Sequence, residues 1–201
     1  EGTSDKPGYL SGYGALPAAT ITELAKRARL RPVIIPTPTP QPQYRPSTAL
    51  GEFIRCRDLT CHWMGCDKPA WTADIDHTVP YPLGPTHASN NACYCRFHHL
   101  LKTFFCGPGG WSERQLPDAT IIFTSPSGRR YSTTPAGALF FPQLALPTGE
   151  PILPTATSPP SPLRGLCMPT RKQTRAQHRA SRIQWERNLN ATRYAADPPP
   201  F

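Results

Sequence analysis

The sequence has none of the long apolar runs that define membrane-spanning proteins. No run of about 18 apolar residues occurs in the 201-residue chain, which excludes a membrane-spanning helix. The chain also does not open with a positively charged region followed by an apolar stretch, so no secretory signal is visible. Since neither a signal nor a membrane-spanning segment is visible, we expect a cytoplasmic protein. Because the chain begins with Glu1 rather than Met, we expect it to be a fragment of a longer protein.

Apolar and charged residues are both scarce for a globular protein, at 38% and 17% of the chain. Proline takes their place, with 27 of the 201 residues. Proline restricts the backbone and donates no hydrogen bond, so stretches rich in it should be extended connectors. We therefore predict four regions: a short helix and Pro-rich extended segment at 1–46, a folded domain at 47–134, a Pro/Ser/Thr-rich linker at 135–170 and a basic helical tail at 171–201.

Acidic residues are few, because 13 Asp and Glu stand against 22 Lys and Arg and leave a net charge of +9. Seven of those basic residues and one acid lie in 171–196, so this stretch carries +6. Such a balance favours a polyanionic partner, and nucleic acid above all others. Arg175, Arg179 and Arg182 share one helical face, where they would neutralise phosphates without reading base sequence. The alternative is a solvated helix that docks back on the domain.

The folded region contains helical and strand patterns in succession. Apolar residues at helical spacing over 48–58, with Ser47 as the N-cap, predict an amphipathic helix. A capping-box spacing that starts at Thr20 predicts a shorter helix over 20–30. Residues 110–134 alternate Thr, Ile, Phe and Tyr runs with Pro-Asp and Ser-Gly turns, which predicts a β-meander.

Most of the cysteines cluster in the middle of the chain, interleaved with histidines, which favours metal binding in a reducing compartment over disulfides. Cys61 and Cys66 form one closely spaced pair, and Cys95 and His98 form another. Two such pairs are what a tetrahedral structural Zn²⁺ site needs. Cys56 is an alternative ligand, ranked below Cys61 because it falls on a predicted helix. The competing interpretation is that these cysteines are small buried apolar residues.

A second group of residues follows the pattern Asp76-His77, Asn90, His99, Lys102. With the surrounding text, D-I-D-H-T-V-P at 74–80 and C-R-F-H-H-L-L-K-T at 95–103, the sequence resembles the HNH nucleases, also called ββα-metal or His-Me finger nucleases. This resemblance covers about 56–103.

A wider likeness runs through residues 12–201, to the C-terminal half of actinobacterial HNH proteins of the thirteen-E-twelve repeat family. It is carried by the phrases RDLTC, DHTVPYPLG, CRFHHLLKTF, RQLPD and the terminal PPPF. Members of that family usually have a further domain of unknown function upstream. We expect that domain to be missing from this chain.

The HNH resemblance implies a role for each residue of the motif. His77 matches the general base, and its ordinary pKa near neutrality suits that role. Asp76 and His99 match the ligands of a catalytic divalent ion. One carboxylate, one imidazole and waters suit Mg²⁺ or Mn²⁺, although the imidazole also admits Zn²⁺ or Ni²⁺. Asn90 matches the residue that orients the base and its loop.

The resemblance implies that the folded domain at 47–134 is an HNH nuclease-like domain with a small ββα-metal core. Together with the zinc knuckle, the meander and the basic tail inferred from the residues, it predicts an α+β protein. It also implies a metal-dependent endonuclease that hydrolyses phosphodiester bonds in DNA. Arg96 and Lys102 are candidate phosphate contacts, or else exposed, solvated helix charges. Two alternatives stay open: a catalytically inactive zinc-dependent DNA-binding module, and a protein-interaction module that uses the knuckle and meander as a surface.

Overall fold

The structure is a computed structural model that describes residues 5–107, 109–150 and 175–196. The chain divides into two units, Glu1–Pro160 and Ser161–Phe201. Among the described residues, the first unit has three α-helices, and the second has one. The helices are α1 (Ala18–Ala25), α2 (Thr48–Asp58), α3 (Arg96–Phe104) and α4 (Arg175–Ala196). The strands are β1 (Gly8–Leu10), β2 (Gly14–Leu16), β3 (Asp74–His77), β4 (Asn91–Tyr94), β5 (Ser112–Gln115), β6 (Ile121–Thr124) and β7 (Arg130–Thr133).

The architecture is α+β, as predicted, and its described strands form three small antiparallel sheets. These are β1–β2, β3–β4 and β5–β6–β7. The last is a meander in chain order, which confirms the prediction for 110–134. Strands β3 and β4 and helix α3 follow one another as a ββα unit, with Asp76 opposite Ala92 and His77 opposite Asn91.

Helix α2 spans the predicted residues and begins at the predicted cap. The side-chain oxygen of Ser47 accepts a hydrogen bond from the backbone N–H of Leu50 at 3.3 Å. Because apolar side chains recur on one face of the helix, Leu50, Phe53 and Ile54 are buried in a core that also includes Cys93 of β4. This packing fixes α2 against the ββα unit.

The capping-box prediction at Thr20 is wrong. Helix α1 begins two residues earlier, after Pro17, and no side chain caps it. The ring of Pro17 restricts its φ to −57°, a value close to that of helical residues. The helix therefore begins directly after Pro17 without a side-chain cap. Thr22 instead donates its hydroxyl to the carbonyl of Ala18 at 2.9 Å.

The segment from 135 to 150 is not the linker that its proline content predicted. It forms two 3-10 helices, Ala136–Leu139 and Pro142–Ala145. Leu144 is buried in the core beside α2, and a Cβ at Gly137 would lie 2.3 Å from a carbonyl of that helix. Burial of apolar side chains outweighs the connector-like composition here. The remaining predicted linker, 151–170, lies outside the described residues.

Helix α4 confirms the basic helical tail over its described 22 residues. Its described side chains, from 177 onward, are exposed within this unit. Arg182 pairs with Glu186 one turn later at 3.0 Å. None of the helices in the described ranges has both the length and the apolar character needed to cross a bilayer.

Candidate metal centre and catalytic site

The four predicted zinc ligands converge on one point. Nδ1 of His98 lies 3.5 Å from Sγ of Cys61 and 3.3 Å from Sγ of Cys95. Sγ of Cys66 lies 4.0 Å from that of Cys95, and all four ligand atoms lie within 4.8 Å of one another. A tetrahedral ion about 2.3 Å from each sulfur would separate its sulfur ligands by about 3.8 Å. The cluster can therefore hold a metal ion such as zinc.

Local turns bring these ligands together. Gly65 has a φ of +70°, and the N–H of Cys66 donates to the carbonyl of Trp63 at 3.0 Å, which closes the knuckle. The Trp63 ring stacks on His98 with centroids 5.0 Å apart, and so supports the imidazole from one side. Cys56, the alternative ligand, lies on α2 outside the cluster.

Burial disfavours the thiolate form of Cys61 when no cation is bound. It raises the pKa of the Cys61 thiol to about 12. A thiolate at this position therefore needs a neighbouring positive charge, which a bound Zn²⁺ would supply.

A second set of ligand atoms lies where α3 packs on β3. Nε2 of His99 is 3.5 Å from Oδ2 of Asp76, and Nδ1 of the same ring is 2.8 Å from Oδ2 of Asp74. When Nδ1–H is donated to Asp74, the lone pair of the neutral ring is on Nε2 and faces Asp76. One oxygen and one nitrogen are thus presented to the same small space, a donor pair that suits a divalent cation.

Asp74 had no assigned role in the sequence, although it lies in the quoted motif. Alternate residues of a strand share a face, so Asp74 and Asp76 both point toward α3. The hydrogen bond with His99 is the main cause that lowers the pKa of Asp74, so its carboxylate is ionised at neutral pH. The alternation of the two aspartates around Ile75 was the available signal.

Lys102 was predicted to contact phosphate from an exposed face of α3, but its side chain is largely buried instead. Its Nζ donates to Oδ2 of Asp76 at 2.8 Å and to the carbonyl of His77 at 2.7 Å, and lies 2.6 Å from Oε1 of Glu113. Its side chain is 10% exposed. Burial lowers the pKa of Lys102, but the two carboxylates outweigh that effect and raise it, so the ammonium stays charged. Arg96, by contrast, is exposed at the start of α3.

His77 is only 4% exposed, and one of its ring nitrogens is engaged. Nε2 lies 2.9 Å from Oγ1 of Thr86, whose hydroxyl donates to the carbonyl of Gln43 at 2.6 Å. Because that hydroxyl proton is already used, Nε2 must be the donor, and the lone pair of the neutral ring is on Nδ1. The ring of Tyr44 stacks on His77 with centroids 5.3 Å apart. Burial lowers the pKa of His77, which keeps the imidazole neutral at pH 7.

Asn90 closes the loop that follows β3. Its Oδ1 accepts from the N–H of Val79 at 2.8 Å, and its Nδ2 donates to the carbonyls of Val79 at 3.1 Å and Pro85 at 2.9 Å. A Cβ at Gly84 would lie 2.1 Å from the Val79 carbonyl, so only glycine fits inside this loop. These three hydrogen bonds fix the loop that follows His77.

Two buried charged side chains of α2 also stabilise the candidate site. The sequence analysis assigned them no role. Arg57 donates from its two terminal nitrogens to the carbonyls of Ala88 at 2.6 Å and Asn91 at 2.8 Å, on either side of Asn90. Asp58 accepts from Nε of Arg57 at 2.7 Å and from the N–H of Cys93 at 2.8 Å. Burial favours protonation of Asp58, but Arg57 and a neighbouring histidine hold its pKa far below the ordinary value.

The candidate DNA contacts of the tail lie on α4. Arg175, Arg179 and Arg182 lie at successive helical turns of this element, which agrees with a shared face. The described side chains of Arg179 and Arg182 are exposed within their unit.

Residues 1–58 match the family described as Domain of unknown function (DUF222). The match covers α1, the Pro-rich segment and α2. We expected a domain of unknown function to be missing upstream of the nuclease-like region. The match places residues 1–58 in such a domain, and for the rest of it that expectation stays a prediction.

Three curated relatives are similar over nearly the whole chain. Uncharacterized protein Rv3776 of Mycobacterium tuberculosis (strain ATCC 25618 / H37Rv) is 47% identical over 197 residues, which are 94% of this chain and 36% of the relative. Uncharacterized proteins MT2160 (strain CDC 1551 / Oshkosh) and Rv2100 (strain ATCC 25618 / H37Rv) of the same species are each 46% identical over 196 residues, or 95% of this chain and 35% of the relative. The chain thus spans about a third of the length of these relatives. No solved structure matches it.

Proposed function

We propose that the protein is a metal-dependent HNH endonuclease that hydrolyses phosphodiester bonds in DNA. One observation carries the proposal: the ββα unit places His77, a neutral imidazole with one engaged nitrogen, beside Asp76, whose Oδ2 lies 3.5 Å from Nε2 of His99. A candidate base and a candidate pair of metal ligands are therefore adjacent. The similarity of residues 12–201 to HNH proteins supports the same assignment.

Each group has a chemical task in phosphodiester hydrolysis. Nδ1 of His77 has the lone pair that accepts a proton from the attacking water, and the lowered pKa keeps it available at pH 7. Asp76 and His99 would hold Mg²⁺ or Mn²⁺, which when bound supplies positive charge to the phosphate and the leaving oxygen. Asn90 fixes the loop that follows the base.

The zinc knuckle supports this site through α3. Cys95 precedes the first residue of that helix, and His98 lies in its first turn directly before His99. A structural Zn²⁺ at the knuckle would fix the start of α3 and thereby the position of the His99 ring. The knuckle would thus contribute geometry, while Asp76 and His99 would hold the divalent ion that supplies positive charge for the chemistry.

The substrate is proposed to be DNA because of the distribution of charge. Arg96 is exposed beside the candidate site, and α4 adds basic residues, Arg179 and Arg182 among them. Guanidinium groups of this kind pair with backbone phosphates and give affinity without sequence preference.

A second candidate function has one specific observation in its favour. Nζ of Lys102 lies 2.8 Å from Oδ2 of Asp76, so an ammonium already balances the carboxylate that a catalytic ion would need. If that pair does not open, the same fold would bind DNA without cutting it. This is the catalytically inactive, zinc-dependent DNA-binding module.

The test is cleavage of supercoiled plasmid by the zinc-loaded protein, with no added divalent ion, with Mg²⁺ and with Mn²⁺. We expect nicked product only with an added ion, and loss of nicking in His99→Ala. Cys106→Ser, which changes an exposed thiol outside the ligand cluster, is the matched control and should cut like the parent. DNA binding without cleavage at any ion concentration would establish the second candidate instead.

A further inference from the structure

Glu113 lies outside the ββα unit, on β5 of the meander, and yet its side chain reaches the candidate site. Its carboxylate is 10% exposed and lies 2.6 Å from Nζ of Lys102. Its other oxygen accepts a hydrogen bond from the hydroxyl of Tyr94. The carboxylate is therefore held between two buried side chains of the neighbouring elements.

Lys102 connects Glu113 to the candidate metal ligand. Its ammonium donates hydrogen bonds to Asp76 and to the carbonyl of His77, and contacts Glu113 as an ion pair rather than in hydrogen-bond geometry. One positive charge thus lies between two carboxylates. All three side chains are at least four-fifths buried, where charges interact more strongly than in water.

We propose that Glu113 is a positioning residue of this site: by sharing the charge of Lys102, it leaves Asp76 negative enough to bind a divalent cation. The inference rests on the proposed function, since it assigns Glu113 to the same metal site. Nothing in the HNH-like motif includes this residue, because it follows α3 on a separate sheet.

Burial raises the pKa of Glu113, whereas the Lys102 ammonium and the hydrogen bond from Tyr94 act in the opposite direction and favour its carboxylate. With Glu113 ionised, Asp76, Lys102 and Glu113 together carry one net negative charge, whereas Asp76 and Lys102 alone carry none. Divalent ions bind oxygen sites more tightly as the number of negative ligands and neighbours increases. The position of the ammonium matters too, because an ion pair with Glu113 draws Nζ away from exclusive contact with Asp76.

The experiment is a Mn²⁺ titration of the zinc-loaded protein by calorimetry. We expect Glu113→Gln to weaken Mn²⁺ binding at least about tenfold, because it neutralises the site at short range. The double variant Lys102→Met/Glu113→Gln removes both charges, leaves Asp76 unpaired and should restore binding to the parent level or better. Glu52→Gln, which breaks an ion pair with Arg31 away from this site, is the matched control and should leave Mn²⁺ binding unchanged.

The outcomes separate this proposal from the function it rests on. If Asp76→Asn removes Mn²⁺ binding but Glu113→Gln binds like the parent, the role of Glu113 is overturned and the metal site stands. A double variant that binds more weakly than Glu113→Gln also overturns it, because that is the result of a merely structural role. If the parent binds no Mn²⁺ that Asp76→Asn removes, both proposals fail.

Zinc content and circular dichroism verify folding of each variant. If Glu113→Gln alone does not fold, the double variant decides: parent-like Mn²⁺ affinity supports the proposal, and a tenfold loss overturns it.

Discussion

At the scale of single residues, the two central histidines differ in which ring nitrogen is engaged. His77 uses Nε2 to contact Thr86, whereas His99 uses Nδ1 to contact Asp74. The lone pairs of the neutral rings are therefore on opposite nitrogens, Nδ1 in the first and Nε2 in the second. This difference suits one ring to accept a proton from water and the other to bind a metal ion.

Asp74→Asn should lower the affinity of the candidate site for its divalent ion without unfolding the protein. The variant removes the charged acceptor that holds Nδ1–H of His99, and loss of such a partner typically costs about 10- to 100-fold in metal affinity. We expect cleavage to need more Mn²⁺ for half-maximal rate, with recovery at saturating ion. The measurement is rate against Mn²⁺ concentration, and an unchanged midpoint would show that Asp74 does not orient the ligand.

At the scale of elements, the helix α2 and the zinc knuckle hold the ββα unit from two sides. Helix α2 buries Arg57 and Asp58 against β4 and the residues before it. The knuckle packs Trp63 on His98 at the start of α3. The small apolar core supplies only a modest free energy of folding by itself. Each of these contacts should therefore contribute measurably to stability.

Cys66→Ser should lower stability and zinc content together. The purified parent should hold about one tightly bound zinc ion per chain, since a small metal-stapled core gains folding free energy from its ion. Cys106→Ser is the matched control, because Cys106 is exposed and outside the ligand cluster. Elemental analysis and thermal melting are the measurements. Freshly purified, folded parent protein without zinc would refute the assignment of the knuckle.

Asp58→Asn should destabilise the fold through Arg57, which would remain buried without its carboxylate. Breaking a buried ion pair in this way costs about 3–5 kcal/mol, whereas Glu52→Gln at the partly exposed pair with Arg31 should cost no more than about 1 kcal/mol. Urea unfolding measures both free energies.

The same carboxylate predicts the direction of acid sensitivity. Because the folded pKa of Asp58 lies below its unfolded value near 3.9, its contribution to stability is present above that pH and is lost as pH falls toward the folded value. We expect the parent to lose stability more steeply than Asp58→Asn below about pH 4. Parallel acid profiles for the two proteins would contradict this account.

Features set by local spacing could be predicted from the sequence. The helix over 48–58 and the two pairs of zinc ligands depend on residues a few positions apart, and the structure places them as expected. The buried environment of Lys102 could not be predicted, because it depends on Glu113, which comes from a different sheet. Thr86 is similar: it contacts His77 only because the loop after β3 folds back on that strand.

Composition was a poorer guide than spacing. Proline content predicted a linker from 135 onward, but prolines are compatible with 3-10 turns, and Leu144 finds a place in the core. The preference for burial depends on which surfaces the rest of the chain leaves uncovered. That information is not local to the segment.

At the scale of the whole molecule, the net charge of +9 is spread over both units. The Arg179→Gln/Arg182→Gln variant should weaken DNA binding and flatten its salt dependence, because each lost phosphate contact lowers the slope of log K against log salt by about 0.9. Lys26→Gln, which removes a charge paired with Glu23 on α1, is the control. Binding isotherms at several salt concentrations are the measurement, and an unchanged slope would show that this face of α4 does not contact DNA.

The most direct test of the central claim is single-turnover DNA cleavage by His77→Ala in Mn²⁺, measured beside DNA affinity and zinc content. His77 is proposed to be the base and touches neither the zinc ligands nor an exposed phosphate contact. We therefore expect the rate to fall about 10²- to 10⁴-fold, with DNA affinity and zinc content nearly unchanged. If His77→Ala cuts DNA as fast as the parent, the site built around His77 is not a nuclease centre.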